Sequence, residues 1–302
     1  MPINAPLALF APLLLTPLPV VLGQAAVQQA AGLDVVAVGV DRYARMTVPV
    51  RVQEQGPFNF LIDTGAQNTV LSTSLASQLA LVPSAKARLI GIAGTQLVDT
   101  VTIDQIDLGK RSFYGLLAPL LEARHIGADG ILGLDSLQGQ RVLIDFRTNA
   151  MTVGDAASLG GNRGFEIVIT ARRRSGQLIM ADARIDGMRV DVVIDTGAET
   201  SVGNLALRRV LSRSNEGTTW LHSVTGEKVE ANLGYARSLV IDKVSLNNVL
   251  IAYTDSPAFA ALGLRDKPAM LLGMRDLRGF DRVAIDFSTR KILFDTPRGV
   301  VF

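Results

Sequence analysis

The chain has 302 residues, with Lys+Arg 30 against Asp+Glu 28, a formal net charge of +2, 48% hydrophobic and 19% charged residues. That length suits one large domain or two medium ones. The even charge argues against a surface built to track phosphates, and the apolar content excludes disorder for most of the chain. Cys is 0 and His is 2, which excludes disulfide staples, thiolate zinc sites, a cysteine nucleophile and HExxH chemistry. No metal, no cofactor and no nucleic-acid partner is expected.

The chain opens on residues 1–31 without a charged side chain, and Pro6 to Gly23 is strongly apolar. Its prolines argue against a stable spanning helix. Small residues at Gly23-Gln24-Ala25 suit a signal peptidase, although no basic residue precedes the apolar run. We read residues 1–25 as a cleaved export signal, with a retained anchor as the alternative. The expectation is a periplasmic or secreted protein with no stable membrane insertion after cleavage.

Beyond the leader come short segments rich in Val, Ile, Leu and Thr, such as Met46–Val52, Leu178–Ile185 and Ser238–Val244, separated by glycine turns. Helical periodicity is brief, at Ser72–Leu81 and Asn204–Leu211. The pattern predicts a mostly β chain with about one short helix per half. It divides into a first half over 26–153, a small polar glycine-rich linker over 154–163, and a second half over 164–302.

The division rests on an internal repeat. Phe-Leu-Ile-Asp-Thr-Gly-Ala (60–66) returns as Val-Val-Ile-Asp-Thr-Gly-Ala (192–198), so Asp63 and Asp195 stand 132 positions apart. A glycine in a polar turn follows each, Gly94 and Gly226. Next, Gly-Ile-Leu-Gly-Leu-Asp-Ser-Leu (130–137) matches Met-Leu-Leu-Gly-Met-Arg-Asp-Leu (270–277). Finally Arg-Val-Leu-Ile-Asp-Phe (141–146) matches Arg-Val-Ala-Ile-Asp-Phe (282–287). Four blocks recur in the same order.

An isolated Asp-Thr-Gly is as readily an ordinary turn, with the carboxylate capping its own backbone. Two copies at equivalent places in a repeated chain point elsewhere. A pseudo-two-fold axis would bring Asp63 and Asp195 together, where burial and mutual repulsion leave one proton shared between them. The ionised member then takes a proton from water while the other donates to a carbonyl oxygen. Thr64 and Thr196 each have a hydroxyl to donate across such an axis. Gly65 and Gly197 let the loops approach with no Cβ in the way. Ala66 and Ala198 complete the two motifs.

In these residues the chain resembles the aspartic peptidases of the retropepsin type, in particular bacterial exported forms with two tandem copies. The resemblance spans residues 35–295. It implies two β-barrel-like halves forming a pseudo-dimer, catalysis by Asp63 and Asp195, and a peptide or protein substrate. It also implies flaps at Ile92, Ala93, Gly94 and Thr95 and at Ser223, Val224, Thr225 and Gly226. The two flaps differ in sequence, so the cleft is expected to be asymmetric, and Glu199 brings a like charge to the pair if it faces inward. Two rivals remain: a non-catalytic peptide-binding module, and a homodimer in which the halves pair between chains rather than within a monomer.

Other features read as architecture. Arg172-Arg173-Arg174 is expected in a solvated hairpin and His222 at the surface, while His125 has no evident partner. Trp220 suits a cleft wall or the core, and Phe113, Tyr114 and Leu116–Leu121 the core. Asp145 and Asp286 are expected in β-turns.

Overall fold

β-branched and aliphatic runs of five to eight residues, interrupted by polar turns, give paired strands as their only means of satisfying the backbone while burying one face. The computed structural model describes residues 35–37, 39–40, 46–211 and 216–297; residues 1–25, read above as an export signal, fall outside them. As expected, the chain is mostly β. Two eight-stranded sheets, one per half, share a single topology. In the first, the strand Gln55–Ile62 pairs antiparallel with Met46–Val52 and parallel with Gly130–Leu132. In the second, Met188–Ile194 pairs antiparallel with Gln177–Ile185 and parallel with Ala269–Leu272. Each sheet also pairs with itself a second time, through Arg51↔Asp107 and through Arg184↔Val240, so that it curls.

A third, six-stranded sheet is built from both halves. Its middle is the antiparallel pair of Arg141–Asp145 with Arg282–Asp286, the two strands of the last repeated block. Residues Ala150–Gly154 flank one side and Lys291–Asp295 the other. Between the halves, turns over 155–164 bury Leu159 and lead to the strand Ile167–Thr170. The largest apolar cluster therefore runs through both halves. It joins Phe60, Leu71 and Ile103 to Val192, Ile251 and Leu272 by way of Val142, Ile144, Val283, Ile285 and Phe294.

Six short helices occur among the described residues, three per half where periodicity points to one. They are α1 (Thr73–Gln78), α2 (Ala123–Ile126), α3 (Leu134–Leu137), α4 (Leu205–Val210), α5 (Pro257–Ala261) and α6 (Met274–Leu277). The two predicted helices are α1 and α4. Each starts on a side-chain cap, Ser72 Oγ accepting from Leu75 N and Asn204 Oδ1 from Leu207 N. The other four run only four or five residues, too short to show a helical period. No helix of the described residues is long and apolar enough to cross a membrane.

Several placements depart from the sequence reading. Tyr114 and Leu117 are 68% and 49% exposed rather than core, because the strand Arg111–Leu121 alternates and turns Leu116, Ala118 and Leu121 inward instead. Trp220 is also exposed, on the strand Thr218–His222. Arg172–Arg174 is exposed in a hairpin, as expected, but as one of its strands rather than its turn, with Arg172 bonded to Asp191. Asp145 and Asp286 each accept turn N–H groups two and three residues on.

Candidate active site

The parallel pairings place the two Asp-Thr-Gly-Ala turns. Ile62 lies beside Leu132 and Ile194 beside Leu272. The next N–H in each chain continues the ladder, Asp63 N to Leu132 O at 3.1 Å and Asp195 N to Leu272 O at 3.0 Å. Each aspartate thus leaves the end of a buried strand with its backbone already held. The turn that follows runs against the repeated glycine. A Cβ on Gly133 would lie 2.4 Å from the backbone of Asn68, and one on Gly273 would lie 2.8 Å from that of Thr200. This is the physical reason for the glycine in both apolar-apolar-Gly blocks.

Helices α3 and α6 then bond back to the turns, through Leu134 N to Ala66 O and Met274 N to Ala198 O. A carboxylate in each of these helices anchors the strand beyond the turn. Asp135 accepts from Thr69 N and Oγ1, and Asp276 accepts from Ser201 Oγ. Burial raises the Asp276 carboxyl, partly offset by the Ser201 hydroxyl. Sequence reading missed these anchors, because Asp135 and Asp276 occupy different positions of the repeated block.

Across the pseudo-two-fold axis the threonines bond reciprocally. Thr64 Oγ1 donates to Ile194 O at 2.8 Å and Thr196 Oγ1 to Ile62 O at 2.6 Å. Each hydroxyl also accepts from the other threonine's N–H, at 3.0 and 3.2 Å. Both threonines are buried. Four hydrogen bonds thus tie the turns together where water is excluded, which makes them expensive to break.

The carboxyls of Asp63 and Asp195 meet between these turns. A Cβ on Gly65 would lie 2.8 Å from Asp195 Oδ1, and one on Gly197 would collide with the Asp63 carboxylate. Within its own turn, Asp63 Oδ1 accepts from Gly65 N and Ala66 N at 2.7 and 3.0 Å. Asp195 Oδ1 accepts from Gly197 N and Ala198 N at 3.0 and 3.2 Å. Burial, then the charge of Asp63, push the Asp195 carboxyl up to about 7, against the two turn N–H groups that favour ionisation. Below that value the pair accordingly carries one proton, a property of the pair rather than of one residue. Glu199 is exposed and brings no inward charge.

Hairpin turns from both halves meet at the site. In the first, Gly91 N donates to Gly94 O and closes the turn between Ala85–Ile90 and Thr95–Leu108. In the second, Ser223 N donates to Glu227 O between Thr218–His222 and Lys228–Ile241. Gly91 lies against Ser223 Oγ and Gly94 against Glu227 Oε2. The tips are exchanged between halves. Ile92 packs on the second half's Ile179, Phe259 and Leu271 cluster beside Leu221, and Val224 on the first half's Leu61, Leu121, Ile126 and Ile131 cluster beside Ala66. Ala93 and Thr225 are half-buried, while Thr95 is exposed. His222 is exposed as expected.

Two residues that sequence reading did not place here also reach the site. Gln177, buried at the start of its strand, donates from Nε2 to Gly65 O, 112 positions away; its Oε1 is buried without a hydrogen-bond partner. His125 does have a neighbour: its ring lies against Gly226 at the tip of the second hairpin turn. No local pattern signals either contact, since each joins one half to the other.

The sequence model of the family described as Aspartyl protease matches residues 48–136 and again residues 181–275, together more than half of the chain. The chain is also 30% identical over 102 residues to Protein DNA-DAMAGE INDUCIBLE 1 of Arabidopsis thaliana, a stretch that covers 32% of this chain and 24% of that protein. It thus spans about a quarter of the relative's length.

Proposed function

The chain belongs to the aspartyl protease family, and we propose that it is a single-chain endopeptidase in which Asp63 and Asp195 act as one catalytic pair. The observation that carries this reading is the reciprocal lock of Thr64 and Thr196, which holds two carboxyls from different halves in contact. With one proton on the pair, the ionised carboxylate takes a proton from a water held between them. The water oxygen bonds to the scissile carbonyl carbon while the protonated carboxyl gives its proton to the carbonyl oxygen. Collapse of the resulting diol breaks the C–N bond, and the pair returns a proton to the leaving nitrogen. No covalent enzyme intermediate is needed.

Ile92 and Val224, each seated on the half opposite its own, support a role for the two hairpin turns as covers over a bound extended peptide. The test is digestion of a peptide library by the purified protein, with and without a statine-type inhibitor. Cleavage that the inhibitor and Asp63→Asn both remove supports the reading. Cleavage that survives both overturns it, and absence of cleavage favours a peptide-binding module.

A further inference from the structure

The short strand Arg172–Arg174 of the second half lies beside the Asp63 turn of the first. It pairs antiparallel with the start of Gln177–Ile185, Arg174 opposite Gln177 and Arg172 opposite Ile179. Ser175 and Gly176, with φ of +48 and +83, make the tight two-residue turn between the strands. That turn is docked on the first half: Gly176 O accepts from Gln138 Nε2 at 3.3 Å, and Gly176 lies against Leu134 of α3. The hairpin is therefore a fixed platform.

Residues directly opposite each other in paired strands project to the same face. On this face Gln177 reaches Gly65 O in the Asp63 turn. Ile179 joins Phe259, Leu262 and Leu264 in the cluster on which the flap residue Ile92 is seated. Arg174 shares the face. Its guanidinium lies against Gly263, just past α5, where a Cβ would overlap it. Gly263 sits between Leu262 and Leu264, so the Arg174 side chain runs from the Asp63 turn to the edge of the seat of the first flap.

The neighbouring charges are engaged or offset. Arg172 bonds Asp191, and Arg265 bonds Asp255. Arg173 donates to Phe287 O at 3.4 Å. Asp266 and Lys267, adjacent and both exposed, offset one another. Arg174 is exposed and makes no hydrogen bond or ion pair with any described residue. We propose that Arg174 is a specificity-determining residue, which takes the side-chain carboxylate of an Asp or Glu in a substrate peptide bound beside α5. The planar guanidinium fork matches a carboxylate with two parallel hydrogen bonds. The apolar cluster next to it strengthens the pair by excluding water from one side. A basic side chain in the same place is repelled, so selection works by exclusion as well as attraction. The proposal rests on the reading of the chain as a peptidase with its cleft between the halves.

The test measures binding of non-cleavable peptides with a central statine to the full chain at low salt. The peptides are blocked at both ends and carry Glu or Gln at each of the three positions on either side. Expected at one position is a preference for Glu of about fivefold, the upper range of an exposed ion pair, which shrinks as salt is added. Arg174→Gln should abolish the preference, Arg174→Glu should turn it toward Lys, and Arg173→Gln should leave it in place. Equal binding of Glu and Gln at every position, a preference that survives Arg174→Gln or vanishes in Arg173→Gln, or one that appears only with a free peptide C-terminus overturns the proposal. The readout needs no turnover. Binding and cleavage without a Glu preference remove this proposal alone, and an Arg174-dependent preference without cleavage of ordinary peptides removes only the catalytic reading. If no statine peptide binds, the cleft reading falls and the proposal falls with it.

Discussion

Arg141 and Asp286 form an ion pair of 2.8 Å between the two halves, with side-chain exposures of 1% and 0%. They face each other across the central antiparallel strands. At the other end of the same ladder the equivalent residues Asp145 and Arg282 turn to other partners, Arg147 and Asp295. The symmetry of the repeat is broken where the connecting segment arrives: the Arg141 guanidinium also bonds Gly161 O and Asn162 Oδ1.

Removing one partner leaves a buried charge without compensation. Arg141→Met should cost about 3–5 kcal/mol of unfolding free energy at pH 7, read from urea unfolding. The double variant Arg141→Met, Asp286→Leu should recover most of it. A single-variant loss below about 1 kcal/mol, the range of exposed pairs, would show that the pair does not tie the halves.

The pair also fixes a pH dependence. Burial is the largest influence on Asp286 and by itself raises its carboxyl. The Ser288 hydroxyl, the Thr289 N–H and the Arg141 guanidinium outweigh it and hold the group below its usual value of 3.8. A depressed carboxyl contributes stability that is present above the unfolded value and is lost as pH falls through the folded one. The stability deficit of Asp286→Asn relative to the unmodified protein should therefore be constant near neutrality and shrink below about pH 4.

Asp63→Asn and Asp195→Asn should each remove nearly all peptidase activity, since one carboxyl cannot be both base and acid. More than about a tenth of wild-type turnover in either, under ~1.4 kcal/mol of barrier, contradicts a shared site. Mixing the two inactive variants should restore nothing, whereas recovery would show pairing between chains.

For Asp195, pushed up to about 7, catalytic efficiency should fall as pH rises through that value, because the pair then loses its shared proton. Ala66 and Ala198 offer only their backbone N–H to Oδ1 of each aspartate. The double variant Ala66→Ser, Ala198→Ser adds a hydroxyl donor to each, favours the ionised form and should move the acidic limb to lower pH. A limb that stays in place would show that the fourth motif residue does not set it.

Thr196→Val removes the hydroxyl that donates to Ile62 O and accepts from Thr64 N. Leaving those buried groups unpaired should cost about 1–3 kcal/mol each. Thr64→Val should cost a similar amount, and the double variant less than the sum, because the two threonines form one network. Additive losses in denaturant unfolding would mean the two hydroxyls act independently.

The repeat, the strands, helices α1 and α4 and both aspartates are legible in the sequence by itself. Each depends on neighbours in the chain: alternation over a strand, a Ser or Asn cap, a glycine where a turn must pass close. The reciprocal threonine bonds follow once two copies of Asp-Thr-Gly-Ala are set about one axis. Tertiary structure alone decided which end of the central ladder carries the buried pair, that Gln177 reaches Gly65, and that His125 lies under Gly226. It also decided which face of each alternating strand turns outward, and so that Trp220 and Tyr114 face solvent. These outcomes depend on which surfaces meet when two similar but unequal halves are packed together. A burial or a hydrogen bond between residues a hundred positions apart leaves no periodicity in either segment, so linear pattern carried no trace of them.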